Sequence, residues 1–346
     1  MKLRGVFFRA GLAVALVFMM AGMGSMAFGQ SVTLTYANFP PASTFPCVQM
    51  EKWKTEVELQ TAGIVKVKTF PGGTLLGAKN MMDGVIDGVA DIGVVVFAYQ
   101  PGRFPLMEGV DLPIGFSGAK VANAVLYDLY MKYRPKSLSK VKVIALFTAP
   151  PANIMSKKPI RTLSDLKGYE LRCTGAGVKP LKLLGAVPVA MPMSETPEAL
   201  QKGIVKGIFS SLDILKDFNF AESCRYATIC NMQTTSFAVV MNKKKWGSLP
   251  EKVKKVIDGL SREHSLWTGD YIDQHVKDSV AWAKKKYNEQ VITLSDSEYK
   301  LWHQKVAPIK DEWLKKTEAK GLPAKAFLKD LMALKAKYEK EFSKGK

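Results

Sequence analysis

Arg172 carries a group able to do chemistry. Arg172 falls in the segment Tyr169-Glu170-Leu171-Arg172-Cys173, which follows the turn Ser164-Asp165-Leu166-Lys167-Gly168 and reads as a short strand. A guanidinium is planar and permanently charged, and it can offer two parallel N–H donors to the two oxygens of a carboxylate. Side chains alternate along a strand, so an Arg172 aimed into a cleft sends Cys173 into the core. The plainer alternative is a surface ion pair.

Other reactive constellations are missing from the sequence. No glycine-rich run ends in Gly-Lys-Ser or Gly-Lys-Thr, no three spaced glycines follow a strand, and no two histidines sit one helical turn apart in a zinc-protease pattern. Gly115-Phe116-Ser117-Gly118-Ala119 resembles a nucleophile elbow but lacks the last glycine and a preceding strand, so it reads as a loop. His264, His275 and His303 all fall in the late helical region at positions expected to be exposed, leaving no general base and no catalytic residue to name. Cys47, Cys173, Cys224 and Cys230 have no zinc-site spacing, so no metal and no cofactor is expected. Cys224 and Cys230 could close a small loop, but a fold of this size does not need that staple.

The elements that would hold Arg172 alternate between strand and helix. Val32-Thr33-Leu34-Thr35-Tyr36-Ala37 has the two-residue period of a strand and ends in Asn38-Phe39-Pro40-Pro41. A helix capped by Thr44 with Pro46 in its first turn follows, then a strand over 64–70, a helix over 78–88 and a buried strand over 91–97. A second unit starts with the strand over 141–147 and repeats strand and helix through 202. The order predicts an α/β architecture with a parallel sheet. Residues 234–241 read as one more buried strand, returning to the first domain. From 251 to about 289 no proline interrupts a helical period, and such a helix would reach about 60 Å, enough to run along two domains. The lysine-rich tail over 324–342 reads as an amphipathic helix on the surface.

Lys2, Arg4 and Arg9 precede an apolar run over 11–20 and small residues to Gly29, the layout of a secretory signal covering residues 1–29. The run is short of the roughly 20 residues that span a bilayer. Cleavage before Gln30 is expected, with an uncleaved anchor as the alternative, and no cysteine follows that could carry a lipid. The rest of the 346-residue chain is long enough for two domains by the prior of roughly 150 residues each. The formal charge drops from +19 to +16 when Lys2, Arg4 and Arg9 leave. The lysines are spread along helices rather than gathered with aromatics, so nucleic acid is not the expected partner.

The segment from Leu166 to Cys173, continuing through Leu184-Gly185-Ala186-Val187-Pro188 to Ser194-Glu195, closely resembles the substrate-binding subunits of TRAP transporters, the tripartite ATP-independent periplasmic family. Asn38-Phe39-Pro40-Pro41, Pro71-Gly72-Gly73, Asp91-Ile92-Gly93, Pro101-Gly102-Arg103-Phe104-Pro105, Lys158-Pro159-Ile160 and Met241-Asn242-Lys243 resemble the same family in order. The resemblance covers essentially the whole chain after the leader.

It implies a periplasmic binding protein of type II-like fold, two α/β lobes with a central cleft and a long helix spanning both. The expected division is residues 30–149 with 238–277 for the first lobe and 150–237 with 278–346 for the second. The implied protein is a periplasmic monomer, not an enzyme. It takes a small organic carboxylate, closes on it, and docks transiently onto TRAP membrane subunits. In that family the arginine matching Arg172 binds the carboxylate. Ser210 stands where many members carry an asparagine, and a second arginine of sialic-acid-binding members is replaced near Ala152-Asn153. Phe39, Tyr99, Met193 and Phe209 are candidate walls, with Met191 beside them, and Asn153 and Ser210 are candidate polar contacts. A ligand with an apolar or aromatic body fits this set. The rival readings are a secreted hydrolase with an unrecognised nucleophile and a ligand receptor serving a sensor kinase.

Overall fold

A computed structural model gives the fold of residues 31–343, so the signal-peptide reading of residues 1–29 lies outside the described residues. Two sheets divide the chain. The first has the order β2-β1-β3-β10-β4, built from β1 (Val32–Ala37), β2 (Val65–Phe70), β3 (Ile92–Val96), β4 (Val141–Ala149) and β10 (Thr235–Asn242). The second has the order β11-β9-β5-β8-β6-β7, from β5 (Asn153–Ser156), β6 (Glu170–Cys173), β7 (Val187–Ala190), β8 (Gly207–Ser210), β9 (Tyr226–Ile229) and β11 (Gln290–Thr293).

The sheets are mixed rather than parallel, which corrects the expectation from the alternating order. β10 runs antiparallel to both β3 and β4, and β5 runs antiparallel to both β8 and β9. These are the two strands that arrive directly from the opposite lobe. Each enters its new sheet without the intervening helix that a parallel crossover requires, so the chain runs back against its neighbours. The two crossover segments are bonded to each other: Ala152 N–H donates to the Gln233 carbonyl at 2.7 Å and Met232 N–H to the Ala152 carbonyl at 3.1 Å.

The third connection is the helix Glu251–Tyr287, 37 residues or about 55 Å long at 1.5 Å per residue. At its first half, Asn123 donates to the Ser265 carbonyl and Ser265 Oγ accepts from Leu146 N–H, both in the first lobe. Further on, His275 meets Asp217 of the second lobe. The helix thus runs along both lobes. The expectation that the histidines are exposed is corrected here: His264 is buried and bonded to Gln49 at 2.7 Å, and His275 and His303 are half-buried. Burial holds His264 down at about 4, so it is neutral.

One core fills the first lobe, and two cores lie on opposite faces of the second sheet. Strand alternation sorts the residues: Ile154, Leu171, Cys173 and Phe209 enter one core, Met155 and Ile208 the other. Cys173 is therefore in the core while Arg172 faces the other way, as the strand period requires. The terminal helix Ala324–Ser343, which the sequence division puts with the second lobe, buries Phe327, Leu331 and Tyr338 in the first lobe's core. All four thiols are unpaired and buried, and burial pushes Cys47, Cys224 and Cys230 up to about 12 and Cys173 to about 11.

Asp111 ties this fold to pH. Its Oδ1 accepts from Ser236 Oγ of β10 at 2.6 Å, its Oδ2 is buried without a partner among the described residues, and burial, with Glu108 nearby, raises its carboxyl to about 8. In the unfolded chain an aspartate releases its proton near about 4. Between those values the folded state holds a proton that the unfolded state has lost, so stability falls as pH rises, by at most about 1.4 kcal/mol per unit for one group. Asp111→Asn should flatten the decline in melting temperature between about pH 5 and about pH 8 and raise the value at the alkaline end by several degrees. Calorimetry that found equal slopes for the two proteins would refute this assignment.

Candidate functional site

The ends of β6 and β8 define the site. The two strands are parallel neighbours, with Leu171 beside Gly207 and Arg172 beside Ile208, so their carboxyl ends open on the same side. Ligands of open α/β sheets bind at that side. A cavity lies there between the lobes, with about 480 Å³ of space not filled by protein atoms, its open mouth included. Ala149 and Thr235, a register pair at the ends of β4 and β10, are part of its lining, so the crossover strands border the site directly.

Arg172 lines this cavity with its side chain withdrawn from solvent. Its Nε and Nη2 both donate to the Met191 carbonyl, at 3.1 and 2.7 Å, and Nη2 also donates to Tyr99 Oη at 3.2 Å. Nη1 is buried with no partner, and among the described residues no carboxylate lies within ion-pair distance of the guanidinium. A buried cation without a counter-charge is costly unless a partner arrives. The Met191 carbonyl and the Tyr99 hydroxyl hold Nε and Nη2 in place and leave Nη1 for an anion.

The first lobe closes the cavity with aromatic rings. Phe39 and Tyr99 meet edge to face with centroids 5.7 Å apart, and Phe45 and Phe237 do the same at 5.7 Å. Phe237 in turn stacks on Phe147 at 4.9 Å. Tyr99 bridges the lobes, because its hydroxyl also accepts from Met193 N–H at 3.0 Å. A second bridge runs from Phe45 N–H to Asp217 Oδ2 at 3.2 Å. Asp217 Oδ1 lies 2.6 Å from His275 Nε2, a hydrogen bond that raises the imidazole above its ordinary range.

Of the seven residues named from sequence, Arg172, Phe39, Tyr99, Met193 and Ser210 line this one cavity. Phe209 and Asn153 do not. Phe209 neighbours Ser210 on β8, so alternation turns it into the core on the opposite face. Asn153 is consumed by the crossover: its Oδ1 accepts from Cys230 N–H at 2.8 Å and Asn231 N–H at 2.9 Å, and its Nδ2 donates to the Pro151 carbonyl. Sequence reasoning missed Phe45, Phe237, Phe218 and Asp213. Phe237 belongs to a strand read as wholly core, and Asp213 follows Ser210-Ser211-Leu212 with no motif to mark it. Among the described residues no three His, Cys, Asp or Glu side chains are grouped to hold a metal ion, and no helix is long and apolar enough to cross a membrane.

The family model for bacterial extracellular solute-binding protein family 7, DctP, matches residues 36–317. A TRAP periplasmic solute binding protein from Desulfovibrio salexigens is 54% identical, with a TM-score of 0.81 over 89% of this chain and 97% of that one; it was crystallised open, with the C-terminus of a symmetry mate in its ligand site. A marine-metagenome TRAP solute binding protein specific for aromatic acid ligands, in complex with metahydroxyphenylacetate, is 29% identical, with a TM-score of 0.85 over 89% of this chain and 99% of that one. A TRAP solute binding protein from Rhodoferax ferrireducens with copurified benzoate is 26% identical, with a TM-score of 0.86 over 90% of this chain and 99% of that one.

Proposed function

The chain belongs to bacterial extracellular solute-binding protein family 7, the DctP-type receptors of TRAP transporters, and from that membership we infer that it captures an aromatic monocarboxylate in the cleft between its lobes. The observation that carries the ligand class is the unmatched Nη1 of Arg172, a residue that lines one cavity together with Phe39, Phe45, Tyr99 and Phe237. A carboxylate on Arg172 neutralises the buried cation, and the rings take up a flat apolar body. Two similar receptors were solved with aromatic acids, which supports the same class here.

Arg172 belongs to the second lobe and Tyr99 to the first, so a ligand held between them favours the shut arrangement. The shut form is then the one presented to the TRAP membrane subunits. The chain would act in the periplasm after removal of residues 1–29. Family membership favours this receptor over a hydrolase. A receptor for a sensor kinase would bind the same acids and would differ only in its partner, which neighbouring membrane-subunit genes would identify.

Stripped of ligand and screened by thermal shift, the protein should gain several degrees with benzoate-like acids. A ligand at about a thousand times its Kd adds about 4 kcal/mol of apparent stability. Sugars without a carboxylate and simple cations should give no shift; if these alone stabilised the protein, the ligand class would be wrong.

A further inference from the structure

The cavity holds a second buried polar group that the carboxylate anchor does not use. Asp213 lines it from the loop after β8, is 2% exposed, and has an Oδ1 with no hydrogen-bond partner among the described residues. Ordinary structural duties do not account for it. Asp213 precedes the short helix Ile214–Asp217, but its side chain makes no capping bond. The ion pair nearby is made by Asp217 with His275. Burial, with the Asp217 carboxylate beside it, raises the Asp213 carboxyl above its ordinary range.

Of the buried side-chain polar atoms left without a partner, Arg172 Nη1 and Asp213 Oδ1 are the two that belong to residues of this cavity. They differ in what they need. One is a cationic donor seeking an acceptor, and the other is a carboxyl oxygen seeking a donor. Both residues line the same cavity from the second lobe, Arg172 on β6 and Asp213 in the loop after its parallel neighbour β8, while Phe39, Phe45, Tyr99 and Phe237 line it from the first.

We propose that Asp213 is a second specificity determinant of the cleft, accepting a hydrogen bond from a hydroxyl or ammonium group on a ligand whose carboxylate lies on Arg172. This rests on the carboxylate reading above and narrows it to acids that carry a donor away from the carboxylate. An acid without that donor leaves Asp213 Oδ1 unmatched, and sites built around a polar contact reject such analogues by at least about tenfold.

The test is calorimetric titration of the full-length processed protein and of Asp213→Leu with benzoate, 3- and 4-hydroxybenzoate, and 3- and 4-(aminomethyl)benzoate. At least one donor-bearing acid should bind the wild-type protein at least about tenfold more tightly than benzoate. In Asp213→Leu that ratio should fall below about threefold, while benzoate itself binds more tightly because the unmatched oxygen is gone. Benzoate binding also reports that the variant is folded. Preference for the aminomethyl acids identifies ammonium as the donor; preference for the hydroxy acids identifies hydroxyl. The proposal is overturned if benzoate binds the wild-type protein as tightly as every donor-bearing acid, or if the ratio survives in Asp213→Leu. Failure of every acid to bind would instead remove the carboxylate reading itself, a result distinct from a flat preference among acids that bind.

Discussion

Arg172→Ala should lower affinity for the bound acid by roughly a hundredfold to several-thousandfold. Breaking a buried ion pair by removing one partner costs about 3–5 kcal/mol, because the other charge stays buried and unmatched. Here the stranded charge would be the ligand carboxylate, enclosed by Phe39, Phe45, Tyr99 and Phe237. Arg172→Lys should recover little of the loss. An ammonium can replace the charge, but it cannot keep Nε and Nη2 on the Met191 carbonyl while presenting Nη1 to the ligand. Arg172→Met keeps the apolar stem and guards against a trivial folding defect, since the arginine is fully buried. Isothermal titration of the three variants, each with its melting temperature, is the measurement. Affinity within about threefold of wild type in Arg172→Met would end the anchor assignment.

Arg172 was legible through the family resemblance of its strand, since before that a surface ion pair was an equal reading, and strand period then fixed the direction of Cys173. The same period, applied to β8, excludes Phe209 once Ser210 is placed at the cavity, so that error could have been avoided from sequence. Asn153 is different. It sits opposite Ser210 in register, yet its amide is spent on the crossover turn at Cys230 and Asn231, a contact between segments 77 and 78 residues apart. Phe45, Phe237 and Asp213 are hidden for a related reason, since only the docking of one lobe on the other brings them to a common cavity. Strands and helices in the first half were legible from local period and turn residues. The antiparallel course of β5 and β10 was not, because strand direction depends on which lobe the preceding segment came from.

Closure can be tested without touching any group proposed to contact the ligand. A Cβ added at Gly175 would lie 2.8 Å from the Ala98 carbonyl oxygen, closer than non-bonded carbon and oxygen approach. Gly175 is in the second lobe beside β6, and Ala98 adjoins Tyr99 in the first, so the clash exists only when the lobes are shut. Both atoms lie on or beside backbone, so no flexible side chain can move aside. Gly175→Ala should therefore destabilise the shut form by about 1–3 kcal/mol, the usual range for overpacking. The fraction of protein able to close falls accordingly, and Kd should rise about fivefold to a hundredfold. The ligand-free melting temperature should hardly change. Gly177→Ala is the contrasting control, because its Cβ would lie 2.7 Å from Cys173 Cβ within one lobe. That variant should lose stability with or without ligand. If Gly175→Ala kept wild-type affinity, or lost stability as Gly177→Ala does, the contact between Gly175 and Ala98 would not be what limits closure.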